Sequence, residues 1–133
     1  MQFEQATALL VIDETKLNGA DAIKRWKEAL KVLGLEEANI IVAESPAAAI
    51  PVIEKLASLD LVLDGADLNL AEKYLEFIGL VGEKFADASI KQILQYKEHE
   101  PGVPERIVGP QKVMPVIEAF LRRKISASTA ATS

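Results

Sequence analysis

Cysteine is absent from this sequence of 133 residues, and histidine occurs once, at His99. These absences exclude a disulfide scaffold, thiol catalysis, thiolate metal sites and zinc sites that need several histidines of one chain. Basic residues are in the minority, because 15 Lys and Arg stand against 20 Asp and Glu and give a formal net charge of −5. Such a chain lacks the attraction that supplies most non-specific affinity for nucleic acid. We therefore predict no nucleic-acid partner, and carboxylate, hydroxyl and lysine chemistry, or binding, remains.

Long hydrophobic runs are also missing, since none approaches the roughly 20 apolar residues that a membrane-spanning helix requires. The first residues, Met1 to Gln5, include no basic segment of the kind that opens a secretion signal. We therefore expect no membrane insertion and a cytoplasmic location. Half of the residues are apolar although only 5% are aromatic, which is enough to form one core at this length. We predict a single domain over residues 1–125 and a disordered Ser/Thr/Ala-rich tail over 126–133.

Short β-type runs alternate with segments of helical period, which is the pattern of parallel βαβ units. The run from Thr7 to Ile12 is almost wholly apolar, as in a central parallel strand that helices cover on both faces. Further strands are predicted at 39–43, 61–63 and 106–108, whereas 79–88 is either a poor strand or an irregular connection. The alternation predicts a single α/β domain with a doubly wound parallel sheet of flavodoxin-like type, about five strands in the order 2-1-3-4-5.

Helices are predicted at 19–33, which Gly34 ends, and at 46–57, 89–96 and 110–124. Another helix is predicted after Asn69, which can cap it. In the first of them the apolar residues recur at three- and four-residue steps, which places Trp26 in the core. Ser45 followed by Pro46 is typical of a helix start. The helix after Asn69 is expected to bury one stripe, formed by Leu70, Tyr74, Leu75 and Ile78.

Acidic residues follow two of the predicted strands. Asp13 and Glu14 come after the first strand, Asp64 ends the third, and Asp67 lies shortly beyond it. In a doubly wound sheet, ligands bind at the carboxyl ends of the strands beside the reversal of strand order, which is between the first and third strands. Clusters of oxygen ligands suit a hard cation such as Mg²⁺. Two interpretations stay open: a Mg²⁺ site formed by Asp13, Glu14 and Asp64, or ordinary solvated acids at strand ends.

The motif LLVIDE, from Leu9 to Glu14, resembles the opening strand and acidic pair of the receiver domains of two-component response regulators. The segment from Ala43 to Asp64 is similar in length and pattern to the receiver segment that leads to the phosphorylated aspartate. The late segment IVGPQKVMPVIEAFLRR resembles the last strand, proline turn and final helix of receivers. The resemblance implies that Asp13 and Glu14 hold Mg²⁺ and that Asp64 is the phosphoacceptor, whose carboxylate attacks phosphorus in line.

The sequence departs from the receiver pattern at two functional positions. Receivers carry a lysine immediately before the late proline, but Gly109 occupies that position and Lys112 belongs to the next helix. For the switch Thr or Ser after the fourth strand, Ser89 is the only candidate. We therefore predict a pseudo-receiver, a non-catalytic signalling or adaptor domain that acts through protein partners, and we leave homo-oligomerisation open. The alternative is a Mg²⁺-dependent receiver that accepts a phosphoryl group on Asp64.

A second resemblance concerns the segment IDETKLNG, from Ile12 to Gly19. It is similar to the segment that carries the phosphorylated histidine in mannose-type IIB subunits of the sugar phosphotransferase system, and IIVAESPAA resembles their next strand. Asn18 would occupy the histidine position, where an amide cannot act as the nucleophile. This resemblance implies a further alternative, a carrier-type subunit of a transport system without catalysis.

The last helix and the 89–96 segment would form the flank that receivers use for pairing. Tyr96, Met114 and Phe120 could supply an apolar patch there, although Phe120 is expected to cover the sheet instead. His99 lies in a loop rich in proline and glutamate, without an identifiable catalytic partner, and we assign it no role.

Overall fold

The computed structural model of the chain describes residues 5–15, 19–65, 73–95, 106–107 and 114–124. Within these ranges, no helix is both long and apolar enough to cross a membrane. Several sequence-based expectations fall outside them. These are the capping role of Asn69, the burial of Leu70, the surface position of Tyr96, the loop around His99 and the tail at 126–133.

The main sheet has four parallel strands, namely β1 (Ala8–Val11), β2 (Ile40–Ala43), β3 (Leu61–Asp64) and β4 (Ser89–Gln92). Their order is β2-β1-β3-β4. The central strand β1 is buried along its whole length. Helices cover both faces of the sheet, so successive side chains of β1 point alternately into one core and the other. The predicted α/β fold with a parallel, flavodoxin-like sheet is confirmed, with four strands in the order 2-1-3-4.

The fifth predicted strand lies elsewhere. Residues Arg106–Ile107 do form a strand, β6, but they pair with a two-residue strand β5 (Leu94–Gln95). That pairing is antiparallel and forms a separate two-stranded sheet. The predicted order 2-1-3-4-5 is therefore wrong in its last place for the part of the chain that the structure describes.

One face of the sheet packs against helix α1 (Gly19–Leu33) and against the helix over residues 114–124, α4. The first core cluster lies between them, and its members include Leu10, Trp26, Ile93, Ile117 and Leu121. Trp26 is completely buried, as predicted.

Helix α1 ends as its sequence predicts, at a glycine. Gly34 adopts φ 121°, a conformation that only glycine reaches without strain. The amide of Leu35 donates to the carbonyl of Leu30, and the amide of Gly34 donates to that of Lys31. These two bonds form a Schellman motif, which satisfies carbonyls at the end of the helix.

The other face packs against helix α2 (Pro46–Lys55) and helix α3 (Tyr74–Lys84). The second core cluster lies there and includes Leu9, Val11, Ile53, Phe77 and Val81. Helix α2 begins as predicted, because the Ser45 hydroxyl accepts a hydrogen bond from the amide of Ala48 at 3.1 Å and Pro46 takes the first helical position.

Three other local predictions are wrong. Residues predicted as a helix at 89–96 form the strands β4 and β5. Residues 79–84, expected as a poor strand or an irregular connection, continue helix α3. Leu75 was placed in the buried stripe of that helix but is 85% exposed, and the buried positions are Tyr74, Phe77 and Val81.

The amino edge of the sheet is held together by Asp60. One of its carboxylate oxygens accepts a hydrogen bond from the amide of Thr7 at 2.9 Å, and the other pairs with the ammonium group of Lys124 at the end of α4. Because Thr7 precedes β1 and Asp60 precedes β3, this carboxylate joins both central strands to the last described helix.

Candidate functional site at the carboxyl edge of the sheet

The parallel register brings the predicted acids to one edge of the sheet. Asp64, the last residue of β3, pairs with Val11 of β1 and with Gln92 of β4. Asp13 follows Val11 by two positions. Because parallel strands end at the same edge, Asp13, Glu14 and Asp64 all belong to the carboxyl edge, between β1 and β3, as the sequence predicts.

Asp64 is fully buried, with none of its surface exposed. It lies two positions after Val62, so its side chain projects toward the face that α3 covers. The hydroxyl of Tyr74 donates a hydrogen bond of 2.6 Å to Oδ2 of Asp64. A buried carboxylate is costly unless donors satisfy it, and Tyr74 supplies one such donor from the first residue of α3.

Asp13 and Glu14 are more accessible than Asp64. Oδ1 of Asp13 accepts hydrogen bonds from the backbone amide of Thr15 at 2.9 Å and from its hydroxyl at 2.6 Å. Glu14 is exposed. The Asp13 carboxylate is thus engaged by its own loop, whereas that of Asp64 is engaged by a helix.

Among the described residues, no group of three or more acidic, histidine or cysteine side chains is placed to hold a metal ion. All three predicted ligands, Asp13, Glu14 and Asp64, belong to the described ranges. Their assignment to Mg²⁺, with Asp64 as the phosphoacceptor, stays a prediction. Asp67, the fourth acid of the predicted cluster, lies outside those ranges, as do Asn18, Gly109 and Lys112, which the resemblances involve.

Ser89, the candidate switch residue, belongs to the opposite edge of the sheet. It pairs with Leu61, the first residue of β3, and its amide donates to the carbonyl of Asp60. The residue of β4 that aligns with Asp64 is Gln92. Ser89 begins β4 instead of following it, so this candidate does not occupy the position that the receiver resemblance implies.

Gly65 forms the floor of the carboxyl edge. Its amide donates to the carbonyl of Val11 at 2.8 Å. A Cβ atom at this position would lie 3.0 Å from that carbonyl oxygen and 3.4 Å from Cγ1 of Ile12. Because the chain after β3 approaches the chain after β1 so closely, a side chain at this position would press against the backbone of Val11.

Tyr74 is the functional residue that the sequence analysis missed. It was assigned only to an apolar stripe, although a tyrosine that is buried normally finds a partner for its hydroxyl. This tendency of buried tyrosines is the one signal in the sequence for a hydrogen bond at Tyr74. It indicates that a partner exists, but it does not identify Asp64, because the position of α3 over the end of β3 is a tertiary property.

Replacing Tyr74 with phenylalanine is expected to lower the free energy of unfolding by about 1–2 kcal/mol, since it removes a hydrogen-bond donor from a buried carboxylate and keeps the aromatic ring. Urea denaturation of the two proteins, followed by circular dichroism, measures the difference. The control is Leu75→Ala, because Leu75 is largely exposed on the same helical turn and should change stability by less than about 0.5 kcal/mol. Equal stability of Tyr74→Phe and the wild type would contradict the contact.

The buried carboxylate limits the chemistry of the site. In-line attack on phosphorus requires a carboxylate oxygen that approaches the phosphoryl group to about 3–3.5 Å. In this arrangement Oδ2 of Asp64 accepts a hydrogen bond from Tyr74, and the residue has no solvent-accessible surface.

Comparisons of the chain with protein families, with curated proteins and with solved structures find no match.

Proposed function

We propose that this protein is a non-catalytic, receiver-like domain that acts by binding a protein partner, in signalling or as an adaptor. The observation that carries the proposal is the burial of Asp64 beneath Tyr74. A phosphoacceptor must meet its donor from solvent, whereas a residue that only supports the scaffold has no such requirement.

The surroundings of the site support a binding role in the same way. The edge carries acids but, among the described residues, no three-ligand metal set. The receiver resemblance already lacks the lysine that pairs with a phosphoryl group, since Gly109 stands at that position. A metal-ligand set and a lysine are both needed for phosphoryl transfer in receivers, but neither is needed for the fold.

Helix α4 is the surface that we favour for the partner. Val116, near its start, is 47% exposed, and Met114 is only partly buried. Glu118 and Arg122 form an ion pair of 2.7 Å one turn apart on the same helix. The receiver resemblance implies pairing through this flank, where Val116 is accessible. Phe120, by contrast, packs against the core, as predicted.

The test is an amide NMR titration of the wild-type protein with Mg²⁺ and then with beryllofluoride, which mimics an acyl phosphate on aspartate. We expect no shifts centred on Asp13, Glu14 and Asp64 at millimolar concentrations. Shifts at these residues that spread after beryllofluoride would overturn the proposal in favour of a phospho-accepting receiver. The matched control is Asp64→Asn, which keeps the size and an acceptor oxygen but removes the charge.

A further inference from the structure

The two ends of helix α3 are held in different ways. At its last turn, the ammonium group of Lys84 donates to the carbonyls of Ile53 at 2.8 Å and Glu54 at 2.6 Å, near the end of α2. A cation at the carboxyl terminus of a helix interacts favourably with the last carbonyl groups of that helix. Phe77 and Val81 are buried in the second core cluster. The carboxyl-terminal part of α3 is therefore fixed by packing and by charge.

The first turn of α3 has weaker local support. The residue at its amino-terminal cap, Lys73, makes no side-chain capping hydrogen bond. Lys73 also adopts φ 61°, in the left-handed region that residues with a Cβ rarely occupy. A lysine side chain cannot accept a hydrogen bond, so the cap residue supplies none of the side-chain acceptors that commonly stabilise the first turn of a helix.

Tyr74 provides the tertiary contact that offsets this weakness. Its ring contacts that of Phe77 edge to face at a centroid distance of 6.2 Å, and its hydroxyl binds Asp64. Opening of the first turn would remove the hydroxyl from Asp64 and uncover the end of β3. The same bond therefore stabilises the start of the helix and keeps the carboxylate away from solvent.

We infer that the first turn of α3 is a latch, in which the Tyr74 hydroxyl holds Asp64 closed and the release of Tyr74 makes that carboxylate accessible at the carboxyl edge of the sheet. The inference rests on the proposed function in one respect, because both take the closed state as the resting state of the wild type. Release adds a third accessible carboxylate to an edge that already carries Asp13 and Glu14. The latch thus regulates the charge that this edge presents.

Carboxyl labelling of the full-length protein tests the latch. A water-soluble carbodiimide activates a carboxyl group, and added glycinamide then forms an amide at each reactive residue, which peptide mass spectrometry locates. Glu14 is exposed and serves as the internal reference. We expect Asp64 to react far more slowly than Glu14 in the wild type, and Tyr74→Phe to raise the rate at Asp64 by about tenfold, as loss of one buried hydrogen bond to the closed state predicts.

Two further variants separate the latch from general loosening. Val81→Ala destabilises α3 through its buried end and leaves Tyr74 intact, so the rate at Asp64 should stay near that of the wild type. Lys73→Gly relieves the left-handed strain at the helix start, so it should lower the rate at Asp64, alone or combined with Tyr74→Phe. This variant keeps the test decisive even if Tyr74→Phe fails to fold.

An unchanged rate at Asp64 in folded Tyr74→Phe would overturn the latch, as would an equal rise in Val81→Ala or a rise in Lys73→Gly. These outcomes are distinct from failure of the proposed function, which would appear as a response of the wild type to beryllofluoride. If the wild type shows no response to beryllofluoride and the variants show unchanged labelling, the binding role stands. Core packing, and not the Tyr74 hydroxyl, would then keep Asp64 buried.

Discussion

Replacement of Trp26 by alanine is expected to lower the free energy of unfolding by about 4 kcal/mol, within the range of about 3–5 kcal/mol for large aromatic residues in cores. Trp26 is completely buried and belongs to the first core cluster, where α1 packs against β1 and α4. The substitution leaves a cavity that three elements border and that none can fill alone. Since domains are stable by only about 5–15 kcal/mol, urea denaturation should detect the loss directly.

Two variants of α1 serve as controls for that experiment. Val32 is 89% exposed on the same helix, so Val32→Ala should change stability by less than about 0.5 kcal/mol. Trp26→Phe keeps a ring in the core and removes the indole N–H, for which the described residues supply no hydrogen-bond partner. Its cost should therefore be well below that of Trp26→Ala. A loss below about 1 kcal/mol in Trp26→Ala would contradict the packing of α1 described above.

Gly65→Ala is expected to lower stability by about 2–3 kcal/mol, as overpacking at a rigid position does. The added methyl group would lie 3.0 Å from the backbone oxygen of Val11. A backbone atom in a central strand cannot move aside as the end of a flexible side chain can. Guanidinium denaturation measures the loss, and amide shifts at the ends of β1 and β3 should show where the strain falls.

Gly79→Ala is the matched control and should act in the opposite direction. Gly79 lies within α3, and a Cβ atom there would have no neighbour within 4 Å. Alanine favours a helix interior over glycine by about 1 kcal/mol, so the variant should be slightly more stable than the wild type. If both substitutions had the same effect, the contact between the chain after β3 and the chain after β1 would not exist as described.

The central strands could be predicted from the sequence because a strand that is buried on both faces needs apolar residues at every position. β1 is enclosed on both faces, so its residues are apolar without interruption, and no helix period competes with that pattern. An apolar run also indicated β2, and the run at 61–63 indicated β3 because it is too short for a helix. The capping pattern at Ser45 indicated the start of α2. Local rules sufficed where the local sequence had only one favourable structure.

The strand β4 could not be predicted because its spacing fits two structures. Ile90 and Ile93 are three residues apart, which places them on one face of a helix or on opposite faces of a strand. In the fold Ile93 is in the first core cluster and Ile90 packs against the second. Both faces of the sheet are buried, and pairing with β3 decided the outcome. That pairing is a long-range property, which the segment alone does not contain.

The candidate site divides in the same way. The common edge of Asp13 and Asp64 follows from strand topology and was predicted. The burial of Asp64 and its contact with Tyr74 depend on how α3 crosses the end of β3, and no spacing in the sequence encodes that angle. Ser89, the candidate that the receiver resemblance offered for the switch residue, lies at the start of β4 and therefore at the opposite edge of the sheet from Asp64.

The parallel arrangement of β1 also has a consequence for synthesis of the chain. A parallel ladder cannot form until the crossover between its strands is in place, and the contact between Thr7 and Asp60 spans 53 positions. At roughly 5–20 residues per second on the ribosome, β1 emerges some seconds before β2 and β3 are both available. The most enclosed strand of the folded protein is therefore a nascent apolar segment without a partner during that interval, and it is the first part of the sheet that a chaperone would encounter.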